Sequence, residues 1–131
     1  MAGPFIFIAT NRLKTGKLEA ESRRVPGLVD FIKANEPRLI AFNEYANDEG
    51  TEVAVVQVHP DADSFEFHMG VVQERASQAY GETLDATTSI QVFGTPTATI
   101  LEMLRRSAGG GVQYSVKQRH LGGFTRTNSS D

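Results

Sequence analysis

Cysteine is absent from the 131 residues, which excludes disulfide staples, thiolate nucleophiles and cysteine metal sites. No apolar run approaches the ~20 residues needed to span a bilayer. The start, Met1-Ala-Gly-Pro-Phe-Ile-Phe-Ile8, lacks a basic stretch and a long apolar stretch, so it reads as the approach to a first strand, not as a signal peptide. The expectation is a cytoplasmic protein with no membrane partner. Positive charge is not in excess: 13 Lys and Arg face 16 Asp and Glu, a net charge of −3. That balance gives no general attraction to nucleic acid. Arg105-Arg106 and Lys117-Gln-Arg-His120 are short basic clusters without interleaved aromatics, and they do not change this expectation.

What is present is ordinary globular material, 40% hydrophobic and 22% charged, in a length natural for one domain. The most informative stretch is Thr51–His59. Val53, Val55 and Gln57 fall on one side of an extended chain, and Ala54, Val56 and Val58 on the other. Nearly apolar on both sides, this strand belongs to a sheet covered on both faces.

Around it, Phe5–Asn11 reads as a first strand. Thr15-Gly16 starts a helix with Leu18, Ser22, Val25, Leu28 and Ile32 as its inner stripe, and Pro26-Gly27 is expected to kink or split it before Asn35-Glu36-Pro37 ends it. Arg38–Tyr45 is a second strand, joined to Val53–Val58 by the turn Asn47-Asp-Glu-Gly50. A second helix begins with Asp63 as N-cap and Glu66 completing a capping box, buries Phe65, Met69, Val72 and Ala76, and ends near Tyr80-Gly81. Thr88–Phe93 is a fourth strand. Thr95-Pro96 opens a short third helix with Pro96 at its first position, and Gly109-Gly-Gly111 leads, as a hinge toward another sheet, into Val112–Lys117. Thr125–Asp131 is a polar tail expected to be disordered.

The order β-α-β-β-α-β with an appended α-β unit is the ferredoxin-like arrangement, an α+β fold with two helices on one face of an antiparallel sheet. The other face would carry several exposed Val, Ile and Phe side chains. Leaving them in water forgoes on the order of ten kcal/mol at ~25 cal/mol per Å². A homodimer paired through the sheet faces removes that cost.

The chain resembles the dimeric α/β-barrel superfamily, and within it the antibiotic-biosynthesis-monooxygenase-like (ABM-like) proteins. The residues that carry the likeness are Phe5–Asn11 with Lys14-Thr-Gly-Lys-Leu-Glu19, then Glu36-Pro37-Arg38, then Val55–His68, where a strand runs into a histidine-bearing helix. It covers about residues 4–94, with 95–120 as an extension on a single domain of about 1–124. The resemblance implies a small-molecule protein that uses no cofactor and no metal, a cofactor-independent monooxygenase of aromatic or phenolic substrates. Its alternatives are a non-enzymatic binding or stress-associated dimer and a haem-binding member. The family's Asn, Trp and Tyr set cannot be transferred, because tryptophan is absent.

Six residues are candidates for such a site. His68, on the border of the second helix's apolar stripe, is the candidate catalytic base. Gln57 and His59 stand on a mostly apolar strand face, facing either a pocket or a partner subunit. Asn11, Asn43 and Tyr80 are candidate hydrogen-bonders to a substrate. His59, Asp61, Asp63 and His68 form the one His/Asp cluster, but Asp63 is accounted for as a cap and no metal-ligand spacing is present. Glu44 and Glu52 read as solvated strand-edge charges.

Overall fold

The computed structural model describes residues 3–126. Most of the expected polar tail, including Asn128-Ser-Ser130, lies outside the described residues. The element order is β1 (Phe5–Leu13), α1 (Leu18–Asn35), β2 (Ala41–Ala46), β3 (Glu52–His59), α2 (Ala62–Glu82), β4 (Leu84–Phe93), α3 (Ala98–Gly109) and β5 (Gln113–Lys117). One five-stranded sheet runs β2-β3-β1-β4-β5. The first four strands are antiparallel to their neighbours, and β5 adds parallel to β4. The Gly109–Gly111 segment therefore does not send the last strand elsewhere: Gly111, at φ 101, turns it back onto the edge of its own sheet.

Register fixes the faces. Phe7 stands opposite Gln57 on β3 and Val92 on β4, and Gln57 stands opposite Phe42 on β2. These residues share the inner face, against the helices. Phe5, Phe7, Phe65, Ile90, Val92, Ile100 and Leu104 form the main core, with the Phe7 and Phe65 rings stacked at 4.1 Å. A smaller cluster, Leu13, Val53, Ala79 and Leu84, closes the opposite end. All three helices contribute to the inner face. The outer face carries Ile6, Ile8, Ala54, Val56 and Val58, each half-buried; no described helix packs on it, and residues 118–124 lie near its Ile6 and Phe93 end.

Helix starts depart from the sequence expectation. Asp61, not Asp63, caps α2, its carboxylate accepting from the Ser64 N–H at 3.0 Å. Thr97 caps α3 through Ile100 N–H, so Pro96 stands before the cap and not at the first helical position. In both cases the residue whose side chain reaches back to a free N–H wins over the one with the better sequence signature. The helix α1 is one element through Pro26 and not two. Its buried stripe is Glu21, Leu28 and Ile32, a face rotated from the expected one, with Leu18 left exposed.

Candidate functional site

Between the two core clusters the sheet and the helices α1 and α2 do not close completely. A cleft of about 190 Å³ remains, walled by apolar side chains such as Phe7, Leu28, Ile32 and Phe65, with Asn11, Gln57, Glu44 and His68 among the polar groups that reach it.

The stripe of α2 that faces the sheet runs through Ser64, Phe65, His68 and Ala79. His68 is thus at the centre of the buried face, not on its border, and Met69, expected inside, is 40% exposed. Nδ1 of His68 lies 2.8 Å from Oε2 and 3.0 Å from Oε1 of Glu36. Glu36 is buried just past the end of α1. Burial pushes its carboxyl up to about 7, and burial together with the neighbouring His59 holds His68 down at about 4. A neutral imidazole donating Nδ1–H to the carboxylate satisfies both groups. The other nitrogen, Nε2, has no hydrogen-bond partner among the described residues and is not sealed from solvent.

His59 is a different kind of histidine. Fully buried, it is held at both nitrogens, by Ser64 Oγ at 2.7 Å on Nδ1 and Gln57 Oε1 at 2.9 Å on Nε2. The consistent tautomer donates Nε2–H to Gln57 and accepts from the Ser64 hydroxyl. Burial is the main cause that holds it down at about 4. Its ring lies edge-on to His68 at 5.9 Å, so it supports the wall without opening into the cleft.

At the other end, Asn11 Oδ1 accepts from the Thr87 hydroxyl at 2.6 Å, and the Tyr80 hydroxyl stands 2.8 Å from Asn11 Oδ1 and 2.6 Å from Thr87 Oγ1. A register shift between Thr10 and Asn11 brings Thr87 opposite Asn11, an irregularity that re-aims a side chain.

Five of the six sequence candidates, His68, Gln57, His59, Asn11 and Tyr80, are therefore on the inner side of the sheet or the helix facing it. Asn43 is not. Paired with Val56, it points to the outer face and is exposed, because side chains alternate along β2 and its neighbours Phe42 and Glu44 take the inner positions. That alternation also corrects Glu44: Oε2 of Glu44 is sealed in the interior, while Glu52 is exposed as expected. Glu21 lies beside Glu44. Burial raises Glu21, but hydrogen bonds from Arg24, Glu44 and Thr83 overcome this and hold it down to about 2. Burial and the Glu21 carboxylate push Glu44 up to about 9 against the opposing charge of Arg24.

Glu36, Glu21 and Glu44 were not recoverable as site residues from composition. Charged residues at helix ends and on alternating strands are normally solvated. For Glu44, the inner-face register with Phe42 was the available signal. Among the described residues, no group of three or more His, Asp or Glu side chains is placed to hold a metal ion, and no helix is long and apolar enough to cross a membrane.

No protein-family model matches the chain, and no curated protein matches it in sequence. Solved structures do match its shape. MupZ from Pseudomonas fluorescens is 19% identical with a TM-score of 0.69, the match covering 96% of this chain and 91% of that one. A provisionally named antibiotic biosynthesis monooxygenase from Chloroflexus aurantiacus is 11% identical with a TM-score of 0.54, over 73% of this chain and 95% of the other. A second such protein, from Bacteriodes thetaiotaomicron, is 11% identical at 0.55, over 69% and 85%. The chain has the ABM-like, ferredoxin-like α+β fold expected from its residues. At these identities the likeness is one of fold.

Proposed function

We propose that the protein binds a small, mostly apolar molecule in the cleft between its sheet and the helices α1 and α2, with His68 as base and Glu36 as the residue that positions it. One observation carries this reading. A buried histidine is fixed through Nδ1 by a carboxylate, while its Nε2 stands unpartnered in the wall of an apolar cleft. Such a ring is oriented and keeps a lone pair for a substrate proton. Gln57, Asn11 and Tyr80 supply hydrogen-bonding groups along the same wall. In the finer form of the proposal the protein is a cofactor-independent monooxygenase: His68 takes the proton of a phenol, and the largely apolar cleft favours reaction of the resulting anion with O₂.

The volume of about 190 Å³ is below the ~300–1,000 Å³ of drug-sized ligand pockets. It suits a one-ring or two-ring molecule and disfavours the haem-binding alternative. A non-enzymatic binding protein is supported by His59, whose sealed network is of the purely structural kind. The two readings separate in one experiment. Protein labelled with ¹⁵N-histidine is titrated with a panel of phenols and naphthols while oxygen consumption is followed. Binding that moves the His68 Nε2 resonance, with oxygen uptake lost in His68→Ala, supports the enzyme. Binding without uptake in the wild type supports the binding protein. No movement of His68 with any ligand removes the cleft from both.

We infer further that two copies pair through the outer sheet face. Ile6, Ile8, Val56 and Val58 lie there side by side in the register of β1 and β3, while the α3 and β5 extension, which could have covered them, packs instead on the inner face and at the sheet edge.

A further inference from the structure

We propose that Glu44, with Glu21 as its proton-sharing neighbour, is a second proton-transferring group of the cleft and faces a substrate oxygen across from His68. This rests on the cleft being a small-molecule site. Glu21 is held as a carboxylate. Arg24 donates to it twice, Nε to Oε1 at 2.9 Å and Nη2 to Oε2 at 2.6 Å, and the Thr83 hydroxyl donates to Oε1 at 2.6 Å. Glu44 lies beside that anion, the two lining one groove, and a second buried carboxyl next to a carboxylate is stable as the acid. Two carboxyls, one proton and one guanidinium make a cluster of no net charge, which is how so many ionisable groups are tolerated inside.

A purely structural role accounts for most of this cluster but not for Glu44. Arg24 and Thr83 already tie α1 to the end of α2 through Glu21. Glu44 ties no two elements together: its sealed Oε2 has no hydrogen-bond partner among the described residues, and its one ionisable carboxyl neighbour is Glu21. Its inner-face neighbours are Phe42 on its own strand and Val55 opposite, and an apolar residue would pack there without desolvating a carboxyl. Glu44 also lines the cleft that His68 lines.

The spacing sets the ligand. The Phe42 ring lies 5.8 Å from the His68 ring, and Glu44 is one strand repeat further along, roughly 7 Å. A substrate that spans the two is about one ring long, with an acidic O–H or C–H at the His68 end and a carbonyl oxygen at the Glu44 end. In the proton transfer the substrate's X–H bond breaks and Nε2–H forms on His68. The electron pair left on X moves through the conjugated ring toward the oxygen, which forms a new O–H bond as the Glu44 O–H breaks. One proton leaves the substrate and one enters, nothing is oxidised or reduced, and reversing both transfers resets the protein.

The test uses full-length protein labelled with ¹³Cδ-glutamate and ¹⁵N-histidine. The probes are 4-hydroxyacetophenone, which has a phenol and a carbonyl at opposite ends of one ring, and phenol, which lacks the carbonyl. The expected result is that 4-hydroxyacetophenone moves both the His68 Nε2 and the Glu44 Cδ resonances, whereas phenol moves only His68. Glu44→Val should then weaken 4-hydroxyacetophenone about tenfold and phenol less than twofold. Glu44→Met, of similar length and without a donor, serves the same comparison if the valine variant does not fold. Movement of His68 without Glu44, or equal loss of both ligands, overturns the proposal and leaves the cleft reading standing. If neither resonance moves, both fall together.

Discussion

Oε2 of Glu36 and Nδ1 of His68 stand 2.8 Å apart, with 2% and 5% of their side chains exposed. The pair joins the end of α1 to the first third of α2, the imidazole Nδ1 lying between both oxygens of the carboxyl. Truncation in Glu36→Ala strips a buried donor of its acceptor, so it should cost roughly 1–3 kcal/mol in denaturant unfolding. The same change should release the ring. Long-range ¹⁵N correlation at pH 8 is expected to give the Nδ1–H tautomer for His68 in the wild type and a mixture in the variant. An unchanged tautomer would mean that the carboxylate does not set it.

The carboxyl of Glu44 sits at about 9 in the folded chain, raised chiefly by burial from an ordinary value near 4.5. The folded protein therefore keeps a proton that the unfolded chain has already lost. The associated stability is fully present below pH 4.5 and fades as pH rises through 9. Glu21 and Glu44 titrate as a unit, and the site is only partly shielded, so a loss on the order of 2 kcal/mol between pH 7 and 9 is expected, not the full value of the shift. In Glu44→Gln that alkaline decline should flatten. Parallel melting curves for the two proteins at pH 7 and pH 9 make the check, and equal slopes would place the carboxyl in solvent.

For His59 the sign reverses. Burial holds it at about 4, so in acid the unfolded chain binds the proton first. Its contribution is complete above pH 6.5 and is lost as pH falls through 4. The variant His59→Gln, which cannot titrate, should be less stable than wild type at pH 7 by about 1–3 kcal/mol, because it disturbs the bonds to Ser64 and Gln57. It should also lose less on going from pH 6.5 to pH 4. A wild-type curve no steeper than the variant's in that window would contradict the buried neutral ring.

Period and register carried most of what the sequence could say. The alternation in Val53–Val58 set the strand and its two faces, and the spacing of Phe65 put His68 at the border of the inner stripe, one step from the central place it takes. What periodicity does not encode is which charged residues go inside. Glu21 falls on the buried stripe of α1 only because Arg24 and Thr83 meet it there, contacts supplied from three and sixty-two residues away. The same limit explains the caps: Asp61 and Asp63 are both good N-caps by type, and only the path of the chain out of β3 decides between them. Asn43 faces outward for a simpler reason. The hairpin with Val53–Val58 was legible, but both faces of that partner strand are nearly apolar, so the sequence did not fix which face of β2 looks inward.

Pro26 lies inside α1 and is exposed. It removes the backbone bond to the Ser22 carbonyl and crowds the preceding turn, a cost of about 3 kcal/mol in a helix interior. Substitution by alanine restores the N–H without touching the cleft, so Pro26→Ala should raise stability by roughly 1–3 kcal/mol and leave ligand-induced shifts at His68 unchanged. A destabilised variant would mean that the helix requires the bend that proline imposes.

The outer face makes the last prediction. Ile8 and Val56 are directly paired across β1 and β3, at the middle of a half-buried apolar surface on which no described helix packs. If a second copy covers it, light scattering should give twice the chain mass of 14.3 kDa. Val56→Asp would then bring a carboxylate into the centre of the interface, between Ile8 and Asn43 of its own sheet, and desolvating it unpaired is far costlier than leaving it in water. The variant is expected to run as a monomer and to melt lower than wild type, because the partner's contribution to stability is lost with it. Glu52→Gln, on the exposed end of the same strand, should change neither quantity. A wild type that is monomeric at micromolar concentration and stable would mean that the outer sheet face tolerates water, and with that the pairing proposal fails while the cleft, built entirely within one chain, is untouched.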